Sequence, residues 1–271
     1  MKYIQTIILL LLAPLVTAAP NSFLNNGVTA HRGDSGSYPQ NTLPAFESAL
    51  ALGVDWIEID IFMTLDNQIV VCHDTTTEKV GERALRISET DYAELKAIDV
   101  AHAFRTRNKL TIEECPPARI PLLSEVLTLM KTQDKTRVSI QPKQAIVDEA
   151  IDLINAMDAQ AWVGFNDGDL AKMARVKELA PTIPVFWDRG PTLSINNDIA
   201  IAKEHGFEAL IHQFTTITQE SVQTLHDAGL ESGAWTVNDP AELTRLLDLG
   251  VYRIYTDYPD ILLELKKARK E

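Results

Sequence analysis

Cysteine is nearly absent from this sequence. Cys72 and Cys115 are the only two, so no more than one disulfide can form. Cys72 stands between Val71 and His73 in a strand-like run, which reads as a buried thiol, and spacing alone does not bring the pair together. Positive charge is scarce as well. Twenty-five Lys and Arg against 38 Asp and Glu leave a net charge of −13, or −14 once Lys2 is removed with the N-terminal segment. No basic stripe runs along any segment, which excludes nucleic acid and an anionic membrane surface as partners. The one basic cluster, Lys266-Lys267-Ala268-Arg269-Lys270, closes a terminal helix, where it complements the macrodipole. Long hydrophobic runs are missing apart from Ile4 to Val16. That run falls short of the ~20 residues a membrane span needs. It follows Met1-Lys2 and precedes a small-residue cleavage site at Val16-Thr17-Ala18, so residues 1–18 read as a signal peptide. The expected product is exported, secreted or periplasmic. It has no cysteine at the cleavage point to carry a lipid and no stable membrane insertion.

What is present is a regular alternation of strand and helix. Residues 19–271 read as one domain, since α/β barrels of ~250 residues are routinely single units. Strands are expected near 28, 57, 138, 162, 184, 209, 233 and 253, each followed by a helix, with Gly at helix ends and Asp, Asn or Pro at helix starts. Eight such repeats are the sequence form of a (β/α)8 TIM barrel. Residues 75 to 121 break the rhythm and read as a small insertion after the second strand.

Polar side chains gather at the expected strand ends, where this fold places its chemistry. His31-Arg32-Gly33 ends the first strand. Glu58 and Asp60 lie two apart on the second, hence on one face, and two buried carboxylates call for a cation or strong hydrogen bonds. Hard oxygen ligands suit Mg2+ or Ca2+. Asp66-Asn67 reads as a hairpin turn, which would set Asp60 opposite His73. Gln141 and Lys143 alternate on one face at the end of a third strand, and a lysine there is explained by an anionic ligand or by a salt bridge to Glu58 or Asp60. His212 reads as a hydrogen-bonded structural histidine. Two histidines, an arginine, a lysine and a carboxylate pair together suit phosphodiester cleavage. The cations neutralise the phosphoryl oxygens, while one imidazole activates the nucleophile and the other protonates the leaving alkoxide.

The runs His31-Arg32-Gly33, Pro39-Gln40-Asn41-Thr42, Glu58-Ile59-Asp60 and Val70-Val71-Cys72-His73-Asp74 carry a resemblance. So do Trp235-Thr236-Val237-Asn238 and Thr256-Asp257-Tyr258-Pro259-Asp260. Along nearly its whole mature length the chain resembles the glycerophosphodiester phosphodiesterases. The resemblance implies a barrel with an insertion, catalytic His31 and His73, and substrate contacts from Arg32, Asn41, Lys143 and Trp235. It implies a divalent metal on Glu58, Asp60 and the residue at 141. The implied reaction is attack by the glycerol 2-hydroxyl, a cyclic phosphate, and release of glycerol 3-phosphate and an alcohol from a small glycerophosphodiester. Gln40 and Gln141 stand where the family usually has Glu, Pro142 interrupts a usual Glu-Leu-Lys run, and Leu-Asp-Arg is missing after His73-Asp74. The loss of one carboxylate implies weaker metal binding or a different ion. Two other readings are a lipid phosphodiesterase of the sphingomyelinase D type, for which no apolar or basic rim is evident, and a phosphodiester-binding barrel without catalysis.

Overall fold

The computed structural model describes residues 24–191 and 194–269; the segment read as a signal peptide lies outside them. Eight strands close a parallel barrel: β1 (Val28–His31), β2 (Trp56–Met63), β4 (Arg137–Pro142), β5 (Val163–Asp167), β6 (Val185–Arg189), β7 (Ala209–Gln213), β8 (Glu231–Trp235) and β9 (Arg253–Thr256). β1 pairs with both β9 and β2, which closes the ring. A short strand, β3 (Ile69–Val71), adds antiparallel to β2 outside it. Helices α1 (Leu43–Leu52), α4 (Leu123–Met130), α5 (Val147–Ala156), α6 (Leu170–Leu179), α7 (Ile195–His205), α8 (Gln219–Asp227), α9 (Pro240–Asp248) and α10 (Pro259–Ala268) wrap the outside. Among the described residues, no helix is long and apolar enough to cross a membrane.

Side-chain alternation divides each strand between two cores. The outward residues of β2, Ile57, Ile59 and Ile61, join the large cluster beneath the helices. The inward residues form a second cluster of Trp56, Phe186, Ala209, Ile211 and Tyr255. Gly164 lines this interior because a Cβ there would come within 3.0 Å of the Trp56 ring. Below them Arg253, 1% exposed, bonds Glu231 at 3.0 Å and lies 3.8 Å over the Phe186 ring. Such a buried guanidinium is tolerable only because it is paired. The base of the barrel is thus filled, and open space is left at the carboxyl ends of the strands.

His212 faces outward like Leu210, buried between the barrel and the helical layer. Burial, tempered by Asp198, pushes its pKa down to about 4, so it stays neutral and takes no part in the mouth.

The hairpin after β2 departs from the expected register. Thr64 N donates to Gln68 O at 2.9 Å, and Asn67 takes a left-handed φ of +58°. The turn therefore holds three residues, Leu65 to Asn67, instead of two. Ile61 pairs with Val71, and Cys72 N donates to Asp60 O at 2.9 Å. Cys72, not His73, stands opposite Asp60. His73 arrives near the barrel mouth because the chain leaves β3 after Val71 and bends.

Residues 75–121 carry two short helices, α2 (Tyr92–Leu95) and α3 (His102–Asn108). Ile87, Leu95, Ile98, Val100 and Ile120 pack on Phe62, Val70 and Cys72 of the hairpin, so the segment rests on the barrel's own side chains. Cys72 and Cys115 are both buried free thiols.

Candidate active site

β1 ends on His31, and the chain then turns within two residues: Arg32 has φ +58° and Gly33 φ +84°. A Cβ on Gly33 would lie 2.7 Å from that of Ala45, so only glycine lets α1 pack this close. The turn aims the Arg32 backbone N–H at Glu58 Oε2, 3.2 Å away, and sends its guanidinium toward Asp60, with Nε 3.3 Å from Oδ2. Gln40 Oε1 accepts from Arg32 Nη1 at 2.7 Å and holds the fork in place.

Glu58 and Asp60 are 2% and 1% exposed on the inner face of β2. Their surroundings differ. Asp60 meets Lys143 Nζ at 2.9 Å and Arg32, and accepts from Asn41 Nδ2 at 2.9 Å. Burial alone would raise its pKa, but Lys143 and Arg32 outweigh this and hold it below the usual carboxylate range. Glu58 lacks such pairing, and burial together with the charge of Asp60 pushes its pKa well up. Lys143 also donates to Gln141 Oε1.

The two histidines are held by different carboxylates. His31 Nδ1 lies 2.7 Å from Asp257 Oδ1, leaving Nε2 turned toward Glu58 at 3.9 Å. Asp257 also accepts from Ser35 Oγ and Asn238 Nδ2. Burial pushes its pKa up, but these bonds, with His31 foremost, bring it below the ordinary value. His73 Nδ1 lies 3.3 Å from Asp74. Burial, and the cations Arg32 and Lys143 against the pull of Asp60, lower its pKa and favour the neutral imidazole.

His31, Arg32, Glu58, His73, Gln141, Lys143 and Trp235 all line one cavity of about 360 Å³. Trp235 forms its outer wall, its indole N–H donating to Arg189 O at 3.3 Å. Asn41 does not line this cavity, and both its amide atoms are directed at Asp60. Its left-handed φ of +56° suits asparagine, and its place is that of a support to the carboxylate.

Comparison with known proteins gives the family. The model of the glycerophosphoryl diester phosphodiesterase family matches residues 31–261. The chain belongs to that family. With the family comes the class of chemistry, that of a phosphoric diester hydrolase. A glycerophosphodiester phosphodiesterase of Bacillus altitudinis is 30% identical over 256 residues, 90% of this chain and 99% of that protein. A lysophospholipase D of Mus musculus is 25% identical over 296 residues, covering 95% and 91% respectively. Among solved structures, an Oleispira antarctica phosphodiesterase in complex with the product sn-glycerol-3-phosphate superposes with a TM-score of 0.78. It is 23% identical, with 91% of this chain and 98% of that one covered, and it shares the barrel fold.

Three polar residues of this family member went unassigned in the sequence. Asp257 lay in a noted motif, but its partner His31 is 226 positions away. Asp188 and Asn166 line the cavity too. Asp188 Oδ2 accepts from Gln141 Nε2 and Asn166 Nδ2, each at 3.1 Å. Burial pushes its pKa up to about 7. It stands on β6 two residues beyond the inward-facing Phe186, so the period-2 alternation of the strand points it inward.

Proposed function

We propose that this chain hydrolyses small water-soluble glycerophosphodiesters to glycerol 3-phosphate and an alcohol, with His73 as general base and His31 as general acid. The observation that carries the reading is that two separately anchored imidazoles open on one cavity beside Arg32 and Lys143. Arg32 and Lys143 neutralise the phosphoryl oxygens. His73, kept neutral by burial, takes the proton of the glycerol 2-hydroxyl as that oxygen attacks phosphorus. His31, whose Nδ1 side is held by Asp257, gives its proton to the departing alcohol oxygen. Water then opens the cyclic phosphate with the two roles exchanged.

The donor set also suits a divalent cation. Glu58 is a buried carboxylate whose raised pKa signals an unmet need for positive charge, and Asp188 Oδ1 is shut off from solvent with no hydrogen-bond partner among the described residues. Also among the described residues, no three His, Cys, Asp or Glu side chains form a ready cage. An ion, Mg2+ or Ca2+ by its oxygen donors, would therefore be held by Glu58 and Asp60 with neutral oxygens such as the Gln141 carbonyl. When bound it would supply further charge neutralisation at the phosphate.

The reading is tested by incubating the protein with glycerophosphocholine, with and without chelator, and measuring glycerol 3-phosphate. Release that chelator suppresses is expected. Absence of release, or cleavage of sphingomyelin instead, would overturn it. The apolar run from Ile4 to Val16 supports export, with a mature chain beginning at Ala19.

Position 141 gives a sharper test of the ion. In Gln141→Glu a carboxylate oxygen would replace the amide N–H that now donates to Asp188 at 3.1 Å. Repulsion between the two should lower the melting temperature of the metal-free variant. With a hard divalent ion present the added charge should tighten binding. Calorimetric titration of Mg2+ and Ca2+ checks this, and unchanged affinity for both would place Gln141 outside the ion's shell.

A further inference from the structure

The barrel mouth holds a second cavity of about 320 Å³, walled by Ser35, Gln40, Phe104, Arg107, Asn108 and Tyr258. It shares only His31 and Arg32 with the larger one. A phosphodiester has two ester arms on one phosphorus. Two compartments that meet at a phosphate-binding arginine and a proton donor offer one to each arm. Of these two cavities only the larger is lined by Glu58, His73 and Lys143, and it is therefore the place for the arm that carries the attacking hydroxyl.

Building on the hydrolase reading, we propose that the second cavity is the subsite of the departing alcohol, and that Arg107 selects alcohols bearing an anionic group such as a carboxylate. Arg107 is exposed on α3, with its guanidinium 5.9 Å from the Phe104 ring centroid. Among the described residues it has no hydrogen bond or ion pair. That is unusual in a chain with 38 acidic residues against 25 basic ones. The cavity's other charges are committed. Asp257 is bonded through both oxygens, to His31 and Ser35 on one and Asn238 on the other. Arg32 is tied to Asp60 and Gln40. Asn108 Nδ2 donates to Phe104 O, which leaves its amide oxygen as the remaining neutral contact. The unspent charge in this compartment is thus positive and comes from Arg107. It fits a planar carboxylate by its two-pronged geometry, and it disfavours a quaternary ammonium without excluding it.

Glycerophosphoserine and glycerophosphoethanolamine differ by one carboxylate on the alcohol arm, so their kcat/KM ratio isolates the effect. The wild-type protein should favour the serine diester roughly tenfold, the scale of one charge-assisted hydrogen bond. Arg107→Ala should bring the ratio to about one, Arg107→Lys should keep part of the preference, and Arg107→Glu should reverse it. Calorimetric binding of both diesters to His73→Ala reads the same preference without turnover. No hydrolysis of either diester by the wild-type protein, with the binding preference intact, would overturn the hydrolase reading and leave the subsite standing. The same ratio in wild type and Arg107→Ala, in both kinetics and binding, would overturn the subsite.

Discussion

Replacing His31 or His73 by alanine is expected to lower kcat by roughly 100-fold or more in each case, the scale on which a positioned acid or base contributes. The two losses should differ in kind. The role proposed for His31 is to protonate the leaving alcohol, so a substrate whose leaving group is already a weak base, such as a p-nitrophenyl ester of glycerol phosphate, should restore much of the activity of His31→Ala. In the proposed scheme His73 acts on the glycerol hydroxyl, which is the same in every substrate, so His73→Ala should remain slow on both. Asp257 touches no reacting atom in this scheme and positions His31 through the 2.7 Å contact to Nδ1. Asp257→Asn keeps the side chain's shape but loses its charge, and should reproduce the leaving-group rescue of His31→Ala in milder form. Equal rescue of both histidine variants would exchange or merge the two roles. Near-normal turnover in either would remove that histidine from the chemistry.

A glycerophosphodiester from which the glycerol 2-hydroxyl has been deleted should bind and not turn over. The phosphate contacts proposed for Arg32 and Lys143 do not involve that hydroxyl, so affinity should be retained, whereas the nucleophile is gone. The expected drop in kcat is at least that of removing the base, since an attacking group held on the same molecule contributes an effective concentration on the order of 10⁵ M or more in well-oriented systems. Competition against glycerophosphocholine reads the binding, and phosphate-monoester release reads the turnover. Hydrolysis of the deoxy compound at a comparable rate would mean that water attacks phosphorus directly. His73 would then be the base for that water, and the cyclic intermediate would be discarded.

The barrel itself was legible in the sequence because its signals are local. Period-2 alternation in Trp56 to Ile61 and helix stops such as Gly53, whose φ is +74°, depend on a few neighbouring residues. For the same reason Glu58 and Asp60 fell on one face, and His31 at a strand end, before any contact was known. What a strand's neighbours do could not be read this way. A single extra turn residue between Thr64 and Gln68 moved Cys72 into the place expected for His73, since turn length alone fixes hairpin register. Only closure of the ring, in which β1 pairs with β9, brings Asp257 to His31 across 226 positions and gives that imidazole its orientation. The sequence by itself determined the fold and the kinds of group at its mouth. The tertiary structure decided which carboxylate holds which histidine, that Asn41 serves Asp60, and that the insertion's Arg107 faces a compartment beside His31. Residue types and their spacing are written along the chain, whereas partners from distant segments exist only once packing has set their distances.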